Sequence, residues 1–142
     1  MLAKIYTIIM GIGFLVSLVS FRRRFPEHLR FFSILLGVTF AVEFFCVFLF
    51  KMVGMKSNHS VYNIFMLFEF CAYGIYYLYI LTIPWARALI KVFLVAFPIF
   101  WFYSVFYVFG LNNWNSHIIA TGSLFTVAIS AVYYYQLFTD VA

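Results

Sequence analysis

Residues Leu89–Phe109 read LIKVFLVAFPIFWFYSVFYVF, with Lys91 as the one charged side chain in twenty-one positions. A bilayer core about 30 Å thick is crossed by roughly 20 apolar residues rising about 1.5 Å each. This run alone therefore has the length and composition of a membrane helix. From Val92 to Thr139 the chain holds no Lys, Arg, Asp or Glu, so a second span follows it after a connection without fixed charge. Working outward, four further stretches match the first: Leu2–Phe21, Phe31–Val53, Val61–Leu81 and Ile118–Phe138. The runs are continuous, whereas barrel strands alternate polar and apolar residues in segments of about ten. The expected architecture is all-α, an integral membrane bundle of five transmembrane helices forming a single domain over residues 1–142.

Composition gives the same reading. Of 142 residues, 67% are hydrophobic, 25% aromatic and 9% charged, with a mean hydropathy of +1.07. A soluble domain carries about 25% charged residues. So little polar surface cannot clothe a globule in water, which excludes disordered, collagen-like and disulfide-framework proteins and argues against direct nucleic-acid binding. The formal charge of +5 reads as topology. Arg22, Arg23, Arg24, Arg30, Arg87 and Lys91 fall on one side of the five expected helices, six in all, against Lys4, Lys51 and Lys56 on the other. The positive-inside bias then places the N-terminus outside and the C-terminus in the cytoplasm. A cleaved signal peptide is the alternative for the first segment. Its apolar run is long, however, and three arginines after it resemble the stop that anchors a retained helix.

Breaks between the runs are polar or carry proline: Arg22–Arg30, Gly54–Ser60, Thr82–Arg87 and Gly110–His117. Pro84 reads as a break because proline costs an internal helix a hydrogen bond. Cys46 and Cys71 lie ten and fifteen residues from the turn at Lys56, an axial offset of about 7.5 Å that suits two buried thiols rather than a disulfide. Asn58-His59-Ser60 matches a glycosylation triplet but hugs the expected membrane surface. Trp85, Trp101, Trp114 and Tyr133-Tyr134-Tyr135 fit an interfacial belt.

Two acids fall inside the apolar runs. Glu43 lies thirteen residues before Lys56 and Glu69 thirteen after it, which in an antiparallel hairpin gives equal depth, about 20 Å from the turn. An ionisable side chain there costs a few kcal/mol to insert and is a functional candidate by default. Thr39, Glu43 and Cys46 share one helical face; Tyr62, Glu69, Tyr73 and Tyr76 share another. Two carboxyls that close in low dielectric would share a proton, and phenols can donate to them or relay it. Glu43, Glu69, Tyr73 and Tyr76 are therefore the expected ion or proton relay, with Asn58, His59 and Asn63 as a polar mouth above Glu69. Read structurally, the same acids hold helices together by interhelical hydrogen bonds of roughly 0.6–2 kcal/mol.

Gly13 and Ser17, and Gly122, Thr126 and Ser130, recur at four-residue spacing and are expected to pack helices closely, within a protomer or between protomers. A polar pore lining is the sharper reading of the second set, to which Ser123 also belongs. Arg22, Arg23, Arg24 and Arg30 form the basic run expected to meet a partner or anionic lipid headgroups. No phosphate-binding glycine loop, nucleophile elbow or metal-ligand spacing occurs, so no catalytic residue, metal site or cofactor is expected.

The hairpin pattern Asn58-x3-Tyr62-Asn63-x5-Glu69-Phe70, with Glu43 on the preceding helix, resembles a family of small bacterial polytopic membrane proteins of unassigned function. The resemblance covers residues 31–81. Members are usually longer, with further helices, and some proteins of this look accompany bacterial defence operons. It implies a setting in the bacterial inner membrane.

Together these features lead to an expected small membrane protein, an oligomeric conduit for protons or small cations or a membrane-perturbing assembly. The expected partners are the lipid bilayer and either further copies of the chain or a larger membrane complex. The alternative is a non-catalytic scaffold or accessory subunit that recruits a partner through its basic cytoplasmic loop. A third reading is an intramembrane enzyme acting on a lipid through Glu43 and Glu69.

Overall fold

The computed structural model describes residues 2–19, 27–49, 52–54 and 57–140. The described residues are helical apart from short connections, with no strand among them. Five helices follow in order: α1 (Leu2–Ser17), α2 (Glu27–Phe44), α3 (His59–Ile80), α4 (Pro84–Tyr103) and α5 (Ser116–Asp140). Wider π-helical turns extend α2 over Phe45–Leu49 and α4 over Ser104–Phe109. Four apolar segments are long enough to cross a membrane: Arg30–Phe48, His59–Ile80, Pro84–Phe109 and Ser116–Thr139. The apolar part of α1, Ile5–Ser17, is shorter. The rest of the first expected span, together with Arg22, Arg23 and Arg24, lies outside the described residues.

Two helix starts correct the sequence reading. α2 begins at Glu27, four residues before the expected Phe31, so Arg30 is helical and half-buried instead of lying in the polar break. Pro84 begins α4 instead of breaking the chain before it, five residues ahead of the expected start at Leu89. At the first helical position proline has no hydrogen bond to lose and its fixed φ suits the helix. Ile83 precedes it in an extended conformation, and the Arg87 backbone N–H donates to the Ile83 carbonyl at 3.1 Å. Pro98, inside α4, leaves the helix continuous up to its π-helical turn. Gly110 ends that turn with φ 83°, a left-handed conformation that favours glycine.

The chain divides into two compact units, residues 1–62 and 63–142, with the boundary inside α3. In the first, α1 and α2 pack antiparallel through a reciprocal exchange. The Phe40 ring sits over Gly11 and the Phe14 ring over Gly37, each where a Cβ would collide with it. The two rings stack at 6.2 Å, and the Ser33 hydroxyl donates to the Ser17 carbonyl at 3.2 Å. The helices thus approach closely at Gly11 and Gly37. Gly13, the position expected to do this, would place a Cβ at an ordinary 4.0 Å from Leu36. Ser17 bonds back along its own helix, donating to the Phe14 carbonyl at 2.7 Å.

The second unit is a three-helix arrangement of α3 below Asn63, α4 and α5. Leu81, Ala86, Ile90 and Ile129 form its buried core, flanked by Tyr77, Leu94 and Phe125. Phe93 and Phe125 stack at 3.6 Å with nearly parallel rings, and Phe70 meets Phe97 edge-on at 5.6 Å. Outside this core the surface stays apolar: Val95, Ile99, Phe102, Leu124, Val127 and Phe138 are all exposed.

Candidate functional site

Glu43 lies in the last turn of α2, just before the π-helical turn, and is half-buried. The Tyr62 hydroxyl, from the first turn of α3, donates to Glu43 Oε2 at 2.8 Å. Cys46, three residues on from Glu43 and only 1% exposed, buries its thiol on the same side of the helix. The Asn58 side-chain amide donates to the Cys46 carbonyl at 3.4 Å. Carbonyls at the end of a helix run out of backbone donors, and a side-chain amide from the next connection supplies one. Ser57 fixes the entry to α3, its hydroxyl accepting from the His59 backbone N–H at 3.2 Å. The result is a carboxyl and a phenol joined where the first turn of α3 meets the end of α2, with a buried thiol three residues on from the carboxyl, all within the first unit.

Tyr62 was legible as a member of the Glu69 face, but the expected relay comprised Tyr73 and Tyr76 instead. Glu69, Tyr73 and Tyr76 fall in the second unit, half-buried along one stripe of α3. Glu69 stands seven residues after Tyr62, about 10.5 Å further along the same helix. Tyr76 packs edge-on against Tyr77 at 5.4 Å.

The expected polar mouth resolves into separate roles. Asn58 supports the π-helical turn, while His59 opens α3. Asn63 is no mouth residue: it is 1% exposed, and its amide donates to the Leu111 carbonyl at 2.7 Å and the Asn113 carbonyl at 2.8 Å. Its backbone carbonyl accepts the Trp101 indole N–H at 2.7 Å. Beside it, Ser104 and Asn115 form a buried reciprocal pair, with the Asn115 amide donating to the Ser104 hydroxyl at 2.9 Å. Asn113 also donates to the Phe109 carbonyl. Gly110–Asn115 is therefore clamped to α3 and α4 by side-chain amides, because a tight connection leaves carbonyls that no helix satisfies.

The small-residue stripe of α5 packs inside the second unit. Phe70 lies over Gly122, where a Cβ would stand 2.5 Å from its Cε2. Thr126 donates back to the Gly122 carbonyl at 2.9 Å and Ser130 to the Thr126 carbonyl at 2.7 Å. Since the Ser130 proton is thereby committed, the Tyr77 hydroxyl is the donor in its 2.6 Å contact with Ser130. At the far end of the unit the Gln136 side-chain carbonyl accepts from the Thr82 backbone N–H at 2.9 Å.

Cys46 and Cys71 are free thiols in different units. No group of three or more His, Cys, Asp and Glu with metal-binding geometry occurs among the described residues. Comparison of the chain with protein-family models, curated proteins and solved structures gives no match.

Proposed function

We propose that this chain is a five-helix integral membrane protein, N-terminus outside and C-terminus in the cytoplasm, that assembles into a conduit for protons or small cations. Glu43 is its titratable group and Tyr62 the partner that orients it. The observation that carries the reading is the 2.8 Å bond from Tyr62 to a carboxyl inside the apolar segment Arg30–Phe48. Glu43 stands five residues from the end of that segment, where an ionisable group on an apolar helix is still costly, and a single phenol leaves its second oxygen available to a proton or cation. The exposed apolar sheath around both units supports a lipid environment, because in water it would form a contiguous sticky surface. Glu69, further along α3, is the second titratable position of the same proposal.

Proton and cation flux into proteoliposomes tests this, with wild type beside Glu43→Gln and Glu69→Gln. Glutamine keeps an oxygen for Tyr62 but cannot ionise, so the assembly survives while flux or its pH dependence changes. Absence of flux from folded, inserted protein across a broad range of pH and voltage refutes the conduit.

A second reading, a non-catalytic scaffold or accessory subunit that recruits a partner through the basic run Arg22, Arg23 and Arg24, with Arg30 half-buried in the first turn of α2, is supported by the second unit. There Asn63, Trp101, Ser104, Tyr77 and Gln136 all bond to protein groups, as expected of a rigid support. On this reading the glutamine variants change only stability, and removing the three consecutive arginines abolishes partner recruitment with topology verified separately.

A further inference from the structure

The two cations of the second unit have no role in that proposal. Arg87 and Lys91 lie four residues apart on one face of α4, in its first two turns. Arg87 is half-buried and donates through Nη1 to the Leu81 carbonyl at 3.1 Å; Lys91 is exposed. Among the described residues no carboxylate forms an ion pair with either. Two clefts meet at Arg87. One, of about 500 Å³, is lined by Thr82, Pro84, Arg87, Ala88 and Lys91. The other, of about 410 Å³, is lined by Ile75, Leu78, Tyr79 and Arg87 and is largely apolar.

Length places this region at a membrane surface. The Pro84–Phe109 segment has 26 residues, about 39 Å of helix against a hydrocarbon core of about 30 Å. Its charge-free part, Val92–Phe109, spans about 27 Å, which fills the core and leaves Pro84–Lys91 among the headgroups. Trp85, Tyr79, Tyr134 and Tyr135 are exposed at this end, as an interfacial belt requires.

We propose that Arg87 and Lys91, with Thr82 beside them, bind the phosphate of an anionic phospholipid whose first acyl carbons occupy the Ile75–Leu78–Tyr79 cleft. A phosphate lodged between a guanidinium and an ammonium supplies the counter-charge the protein lacks there. The apolar cleft sharing Arg87 is what commits the site to a lipid: a free phosphate has nothing to place in it. The inference rests on reading the chain as a membrane protein.

Native mass spectrometry of the detergent-purified protein, titrated with phosphatidylglycerol, phosphatidylcholine or inorganic phosphate, tests it beside flotation with liposomes. Phosphatidylglycerol binds in preference to phosphatidylcholine, and inorganic phosphate does not displace it. At about a fivefold effect per surface cation, Lys91→Gln weakens phosphatidylglycerol about fivefold and the Arg87→Gln, Lys91→Gln double variant roughly thirtyfold. Lys91 makes no contact that folding needs, so its variant remains informative if the double variant unfolds. Equal binding of the two lipids, an unchanged affinity in Lys91→Gln, or full competition by inorganic phosphate each overturns the site. Protein that fails to float refutes the membrane reading and the lipid site together; protein that floats but shows no preference refutes the site alone.

Discussion

Replacing Asn63 by leucine removes the two donors that hold the Gly110–Asn115 connection and keeps the branching and heavy-atom count of the side chain, with two bulkier methyls in place of the amide. The Leu111 and Asn113 carbonyls lose bonds of 2.7 and 2.8 Å. Net values run from about 0.6 kcal/mol for a hydrogen bond within a membrane protein to about 1 kcal/mol in water, so two bonds account for about 1–2 kcal/mol. Leu111 is half-buried and Asn113 exposed, so water reaches part of what is orphaned and adds up to about 1 kcal/mol of desolvation penalty. The expected loss is therefore about 1–3 kcal/mol, read from reversible unfolding in mixed detergent micelles. Asn63→Asp sharpens the test, since it sets an acceptor oxygen against both carbonyls at the same volume and should cost at least as much as leucine. Limited proteolysis should open first within Gly110–Asn115. A loss below about 0.5 kcal/mol for both variants, within the range of neutral surface changes, would refute the clamp.

Gly122→Val drives a branched side chain into Phe70 and should destabilise by roughly 1–3 kcal/mol in the same assay, with Phe70→Leu restoring part of the loss. Tyr62→Phe removes the donor to Glu43, costs about 0.6–2 kcal/mol, and shifts the pH dependence of any flux in proteoliposomes, whereas Tyr107→Phe, on an exposed face, does neither. Pro84→Ala leaves stability within about 0.5 kcal/mol, because proline at the first helical position has no bond to restore; a larger change measured by SDS-induced unfolding would contradict its place there.

Helices of this chain are legible because each apolar run is long and continuous, and length is what the sequence states most plainly. Pro84 was misleading because the same residue that breaks a helix in its middle begins one at its edge. The π-helical turns at Phe45–Leu49 and Ser104–Phe109 leave no compositional mark, being as apolar and aromatic as the α-helical turns beside them. The stripe at Gly122, Thr126 and Ser130 was legible as close packing from its spacing. The identity of its partners, Phe70 and Tyr77, was not, because they lie on another helix some fifty residues away. Asn63 looked like a mouth residue for the same reason: its two acceptors are backbone carbonyls at Leu111 and Asn113, and carbonyls are present in every residue. Conversely, the pairing of Glu43 with a phenol was within reach, since Tyr62 stood near the turn with a hydroxyl to donate.

Along α5 the donors run in one direction, from the Tyr77 hydroxyl to Ser130 and from Ser130 to the Thr126 carbonyl. A backbone carbonyl cannot accept a proton and pass another on. This string of hydroxyls is therefore a dead end for proton hopping, however polar it looks in the sequence. The conduit proposed above would have to bypass the α5 stripe and draw on the carboxyls of α2 and α3 instead.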